Sequence, residues 1–214
     1  MNQSIYSKFV SFLDNEDKDQ AISYVISLLT NEELTLEQLY LDILSPSLAN
    51  YHCEEEEETL CIWKEHARTS IVRTILEATY PFVIERKKNV TSKNKTIMVV
   101  CPSEEYHEIG AIIVAHFLSL AGYNARYIGA NTPKNNIVSA VKVLHPDFVA
   151  ISVTNYYNLV ITKKITEEIK KYYPQVKIIV GGQAFIHPNA LAQVTYDYFL
   201  SSLTDLSQLE GGKE

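Results

Sequence analysis

The chain has 214 residues, 46% of them hydrophobic and 21% charged, the balance of an ordinary globular protein with room for one large or two small domains. A net charge of −7 gives no electrostatic footprint for nucleic acid, and no uninterrupted apolar run approaches the roughly 18 residues of a membrane span. The first residues, MNQSIYSKF, lack the basic start and apolar core of a secretory signal, so a cytoplasmic protein with no membrane attachment is expected.

From Ile5 to Arg86 the pattern is helical. Ile5–Leu13 predicts a short first helix ended by Asp14-Asn15, and Lys18–Leu29 a second with Ile22, Val25, Ile26 and Leu29 on one face. Thr35 with Glu37 and Gln38 has the form of a capping start for a third helix running to about Asn50, bent or restarted at Pro46. A fourth spans Glu57–Arg86, kinked or ended early by Pro81. Four helices with short loops predict an antiparallel bundle over residues 1–86. Five consecutive glutamates, Glu54 to Glu58, suit the positive end of the fourth helix's dipole, while their mutual repulsion favours a solvated loop over a metal site. Cys53, Cys61 and Cys101 show neither metal-ligand spacing nor even pairing, and reduced thiols are expected.

Residues 87–95, KKNVTSKNK, are polar, basic and without periodicity, and read as a linker. Strands and helices then alternate over residues 96–214. Strands are predicted at Thr96–Cys101, Ala125–Ile128, Phe148–Val153, Lys177–Val180 and Tyr198–Ser201. Helices are predicted at His107–Ala121, Pro133–Leu144, Leu159–Tyr173, Pro188–Gln193 and Ser202–Leu209. Five β–α units of this length predict an α/β domain with a doubly wound, five-stranded parallel sheet of Rossmann or flavodoxin-like type.

The first of these units carries the densest chemistry. Between strand and helix stand Glu105, His107 and Gly110, spaced E-x-H-x-x-G. A histidine there lies at the ligand-binding end of a parallel sheet. A carboxylate two residues earlier can accept one imidazole N–H and leave the other nitrogen for a metal. Gly110 removes a side chain where a bulky ligand passes close to the backbone.

This loop resembles the D-x-H-x-x-G signature of cobalamin-binding domains, in which the histidine replaces the cofactor's own benzimidazole as lower cobalt ligand. Two companion motifs follow in order: Ser152-Val153-Thr154 after one strand, where the family has S-x-L or S-x-T, and Gly181-Gly182 after another, in VGGQAF. The resemblance covers about Lys95 to Leu209. It implies cobalamin as cofactor, His107 as lower cobalt ligand with Glu105 behind it, and Ile109 and Gly110 beneath the corrin. It further implies Ser152 and Thr154 beside the nucleotide tail, and Gly181 and Gly182 as a ledge without side chains. The plain alternatives are a satisfied hydroxyl for Ser152 and an ordinary turn for the glycines.

Corrinoid shuttle proteins typically read DVHDIGKNIV at this loop, whereas here it is EEYHEIGAIIV, with Glu105 for Asp and Ala111 for Lys. That form, with the phrase YIGANTP (residues 127–133), is more similar to cobalamin-dependent light-sensing regulators, whose four-helix bundle covers the upper corrin face. Their bundle has a Trp followed, after nine intervening residues, by a Glu-His pair. Glu65-His66 matches the pair, but Glu55 stands at the Trp position. Trp63, the chain's one Trp, lies three residues before His66 on the same helical face and is expected either to replace the missing ring or to be a bundle-core residue. The resemblance implies His66 as upper cobalt ligand after photolysis, the alternative being a helix-surface histidine.

The expected function is a stand-alone cobalamin sensor, light-responsive through adenosylcobalamin and signalling through self-association or a separate regulator protein, without direct nucleic-acid binding and without catalysis of its own. Methylcobalamin and hydroxocobalamin are the alternative cofactor forms. The rival readings are a corrinoid carrier of a methyltransferase system and a haem-binding or ligand-free signalling module.

Overall fold

A computed structural model describes residues 3–53 and 58–210. The chain divides into two compact units, Met1–Arg86 and Lys87–Glu214.

The first unit is helical. Helix α1 (Gln3–Asp14) and helix α2 (Lys18–Thr30) are joined by a tight turn in which the Asp17 carboxylate accepts from Gln20 N at 3.1 Å and caps α2. Thr35 and Gln38 form the reciprocal capping box that their spacing predicts and start α3 (Leu36–Gln38). The chain then widens into a π-helical segment, Leu39–Leu44, and resumes as α4 (Ser45–Ala49). The widening answers Pro46, which lacks a donor and whose ring crowds the preceding turn. Ser45 turns both its N–H and its hydroxyl toward the Tyr40 carbonyl, the latter at 2.8 Å. Helix α5 (Glu58–Lys87) runs through Pro81 without ending there. Phe9, Leu39, Tyr40, Leu44, Ile75 and Leu76 fill the interior, each worth on the order of 1.5–3 kcal/mol of burial.

One expectation about this unit fails. Cys53 and Cys61 are joined by a disulfide, with Cα atoms 5.5 Å apart, so the thiols are not all free. Two cysteines eight apart show no local pairing signal; the chain path brings them together. Only Cys101 is free among the cysteines, and it is buried. Most of the glutamate run, including Glu55, lies outside the described residues.

The second unit is a five-stranded parallel sheet in the order β2-β1-β3-β4-β5. Its strands are β1 (Thr96–Pro102), β2 (Asn124–Thr132), β3 (Phe148–Ser152), β4 (Lys177–Gly181) and β5 (Tyr198–Leu200). Crossover helices are α6 (Ile109–Leu120), α7 (Lys134–Leu144) and α8 (Leu159–Tyr172). Period-two alternation sorts the core. Met98, Val100, Val149 and Ile151 pack with Ile137 of α7 and Ile165 of α8, while Ile97, Val99, Phe148 and Ala150 pack with Ala111, Ala115 and Leu118 of α6. The predicted helices Pro188–Gln193 and Ser202–Leu209 are not α-helical. Short 3₁₀ segments stand there, Leu191–Gln193 and Leu203–Glu210, because so few residues do not repay α-helix nucleation, and a further one, Gln183–Ile186, follows β4. Nor are residues 87–95 a free linker. Lys93 N donates to Gly122 O at 2.9 Å, and Lys93 Nζ lies 4.5 Å over the Tyr123 ring, docking the segment on the α6–β2 turn.

Among the described residues no helix is long and apolar enough to cross a membrane.

Candidate cofactor site

Chain order reverses between β1 and β3, and the loops after these strands diverge at the carboxyl end of the sheet, where doubly wound folds bind ligands. Glu105 lies at this point, fully buried. Its Oε1 accepts from His107 Nδ1–H at 2.6 Å and from His107 N at 3.2 Å. Its Oε2 accepts from Thr154 N and Asn155 N, each at 2.9 Å, and from Asn158 Nδ2 at 3.1 Å. Burial alone would raise the Glu105 pKa; the bonds from Asn155, His107, Asn158 and Thr154 outweigh it and hold the carboxyl below its ordinary range. The group is therefore a carboxylate at neutral pH.

That carboxylate fixes the histidine. With Nδ1–H committed to Glu105, Nε2 carries the lone pair, and the His107 side chain remains 61% exposed. The loop beneath is pinned from β2 and β1. Asn131, at φ +46°, accepts from Glu104 N through Oδ1 and donates its own N–H to Glu105 O, both at 2.9 Å. Tyr127 donates its hydroxyl to Glu108 Oε2 at 2.8 Å. Burial and this bond push the phenol pKa up, and burial with the nearby Glu105 and Glu108 charges pushes the Cys101 thiol up to about 12. Cys101 is thus a neutral thiol donating weakly to the His107 carbonyl at 3.9 Å.

The other predicted residues of this unit gather at the same end. Ile109 and Gly110 open α6, and the space where a Gly110 side chain would stand is empty to 4 Å. Ser152 and Gly181 are register partners at the ends of β3 and β4, both half-buried. Gly182 has φ +109°, and a side chain there would collide with the Val153 backbone. The exposed imidazole with a free Nε2, the open space at Gly110 and the glycine ledge fit a large flat metal-bearing macrocycle held from below. Asn131, Tyr127, Asn155 and Asn158 were not anticipated. Asn158 stands 53 residues from Glu105, and only the asparagine-rich phrase SVTNYYN hinted at a polar loop.

Trp63 and His66 belong to the helical unit. Trp63 is 47% exposed on α5, so it is not a bundle-core residue, and Glu65 and His66 are exposed beside it.

The fold and donor set define a doubly wound domain built around one imidazole. Residues 95–200 match the B12 binding domain family, and the second unit is a cobalamin-binding domain following an N-terminal helical region. A trimethylamine corrinoid protein of Methanosarcina barkeri is 34% identical over 101 residues, 46% of each chain. A second, from Methanosarcina mazei, is 29% identical over 58% of this chain and 57% of its own. The chain thus spans about half the length of the curated relatives it matches. An HTH-type transcriptional repressor of Myxococcus xanthus matches at 23% identity over 58% of this chain and 41% of its own. Among solved structures, the Methanosarcina barkeri monomethylamine corrinoid protein has a TM-score of 0.75 over 98% of both chains at 15% identity, a likeness of fold.

These findings correct the functional expectation. The stronger likeness is to methylamine corrinoid proteins, and the transcriptional repressor is the weaker match. A photoreceptor role, transcriptional regulation and a regulator protein as partner are withdrawn with it. The residues that pointed that way have physical explanations of their own. Ala111 is fully buried against the sheet, so packing sets its size. Glu65-His66 is an exposed pair on a helix surface.

Proposed function

We propose that this chain is a corrinoid carrier of a methyl-transfer system, holding cobalamin through His107 as lower cobalt ligand and offering the upper face to a methyltransferase. The observation that carries the reading is the buried Glu105 carboxylate with its five hydrogen bonds, which presents the His107 Nε2 lone pair outward. When bound, cobalamin supplies a cobalt that accepts and gives up a methyl group. The protein's part is to orient and tune. Glu105 keeps Nδ1 protonated and makes the imidazole a stronger donor at Nε2. Asn158 donates its side-chain N–H to Glu105 and does not itself titrate, so with the other donors it favours the anionic form.

Ser152, Thr154, Gly181 and Gly182 are the proposed lining for the nucleotide tail, and Ile109 and Gly110 the floor under the ring. The adenosyl form was favoured by the light-sensing resemblance; a carrier needs an exchangeable upper position, which favours methylcobalamin, with hydroxocobalamin as the convenient form for binding. The relatives' names make methylated amines the first donors to try.

The test is a titration with hydroxocobalamin followed by absorbance. Binding should displace the cofactor's own base, and His107→Ala should bind at least about tenfold more weakly without that displacement. Unchanged binding by His107→Ala would remove the lower-ligand assignment. Reduced holo-protein given methyl iodide should take up a methyl group stoichiometric with corrinoid; failure to do so would sink the carrier reading.

A further inference from the structure

The helical unit contains a feature that cofactor binding does not explain. Cys53 and Cys61 are bridged across eight residues with Cα atoms 5.5 Å apart. Eight residues of continuous helix would separate them by about 12 Å, so Cys53 cannot lie on an N-terminal extension of α5 while the bridge is closed. Cys61 stands in the first turns of α5, and Cys53 ends the segment that follows α4.

That segment is held to α5 a second time. The buried Arg68 guanidinium stacks 4.4 Å from the Tyr51 ring centre, pairs with Asp14 and donates to Ser47 O at 3.4 Å. Tyr51, His52 and Cys53 thereby form part of the wall of a cavity of about 520 Å³, which Asp14, Lys64 and Arg68 also line. Both bridged cysteines are half-buried, not sealed in the core. Cys101 is buried in the other unit with its thiol pushed up to about 12, which removes it as a competing nucleophile.

We propose that Cys53 and Cys61 form a thiol–disulfide exchange site that locks the Tyr51–Cys53 wall of this cavity against α5, opened by dithiol reductants and closed by oxidised low-molecular-weight thiols. In opening, a reductant thiolate attacks one bridge sulfur, the S–S bond breaks and the other sulfur leaves as a thiolate. The reductant's second thiol then resolves the mixed disulfide. Two electrons pass from the dithiol to the cysteine pair, and the reductant departs as its own disulfide while the released sulfurs take up protons. Closing reverses the flow, with a small-molecule disulfide accepting the two electrons and leaving as two thiols. Opened, the Tyr51–Cys53 wall keeps the Arg68–Tyr51 stack as its tie to α5, beside the local contacts of Tyr51 N with Leu48 O and of His52 Nδ1 with Asn50 O.

The test uses the whole chain at neutral pH. After equilibration with oxidised glutathione, N-ethylmaleimide should label neither Cys53 nor Cys61; after dithiothreitol without denaturant it should label both, as mapped by mass spectrometry. Amide exchange over residues 51–53 should slow about tenfold or more on closing, and Cys53→Ser should exchange at the open rate under either condition. Trp63, two residues from Cys61 and the chain's one Trp, should change its emission on reduction, because a nearby disulfide quenches indole, and should not do so in Cys53→Ser. Free labelling of both cysteines after oxidation, a bridge that opens only in denaturant, or exchange rates identical in the two states would each overturn the proposal.

Discussion

Glu105, buried and accepting five hydrogen bonds, is the hub of the candidate site. Glu105→Gln keeps the shape but gives an amide NH₂ facing donors on His107, Thr154, Asn155 or Asn158. Leaving such groups unpaired costs about 1–3 kcal/mol, to be read in urea unfolding, and cobalamin affinity should fall about 10–100-fold. Wild-type affinity in Glu105→Gln would show that the carboxylate is not needed. Because the folded pKa is depressed, this group's stabilising contribution is present above the ordinary carboxylate range and is lost as pH falls through the folded value. Two glycines separate folding from binding. Gly182→Ala meets the Val153 backbone at φ +109° and should destabilise the apo-protein, whereas Gly110→Ala enters open space and should leave apo stability unchanged while weakening cobalamin. Equal unfolding midpoints for the two variants would contradict this. The E-x-H-x-x-G pattern is legible in sequence because its parts are local. Asn158 and Asn131 are not, because only the fold brings them to the loop.

At the scale of elements, the strands of the second unit are legible because continuous apolar runs are what a sheet covered on both faces requires. The last crossovers and the response to Pro46 are less so, since both depend on how short segments share hydrogen bonds once packed. Helix α6 carries a consequence that its apolar pattern conceals. His116 is buried within it, and burial lowers its pKa to about 4. The unfolded chain therefore binds a proton below about pH 6.5 that the folded chain refuses, so stability falls as pH drops from there toward about 4. Between pH 7 and 5 this one group should remove about 2 kcal/mol. Urea midpoints across that range give the measurement, and a His116→Gln curve falling just as steeply would sink the assignment.

For the whole molecule, the two-part architecture was legible and the trade it serves was not. The same domain supports sensors and carriers, so a handful of residues had to decide between them. The features that favoured a sensor were Glu105 in place of Asp, a core alanine at 111, the phrase YIGANTP and an exposed helix pair, Glu65-His66, while Glu55 at the Trp position spoke against it. Two of these, Glu105 and Asn131 of YIGANTP, belong to the imidazole-holding loop that either trade needs, so they do not separate the two. The division at Arg86 and Lys87 makes its own prediction. A fragment of residues 87–214 should fold cooperatively and bind hydroxocobalamin through His107, because every hydrogen bond to Glu105 described above lies within it. A fragment with no cooperative unfolding would show that the α/β unit needs the helical one to fold.

The hub also bears on speed. A single carboxylate spanning two loops fixes the imidazole that we propose as lower cobalt ligand, through the chain's own groups alone. Loading then demands no rearrangement of the protein at that point, and any slow step belongs to the incoming molecule, which must first release its own base. Cobinamide, which has no nucleotide base to release, should therefore load at a rate that climbs in proportion to its concentration, while hydroxocobalamin levels off. A ceiling common to both would place the slow step in the protein.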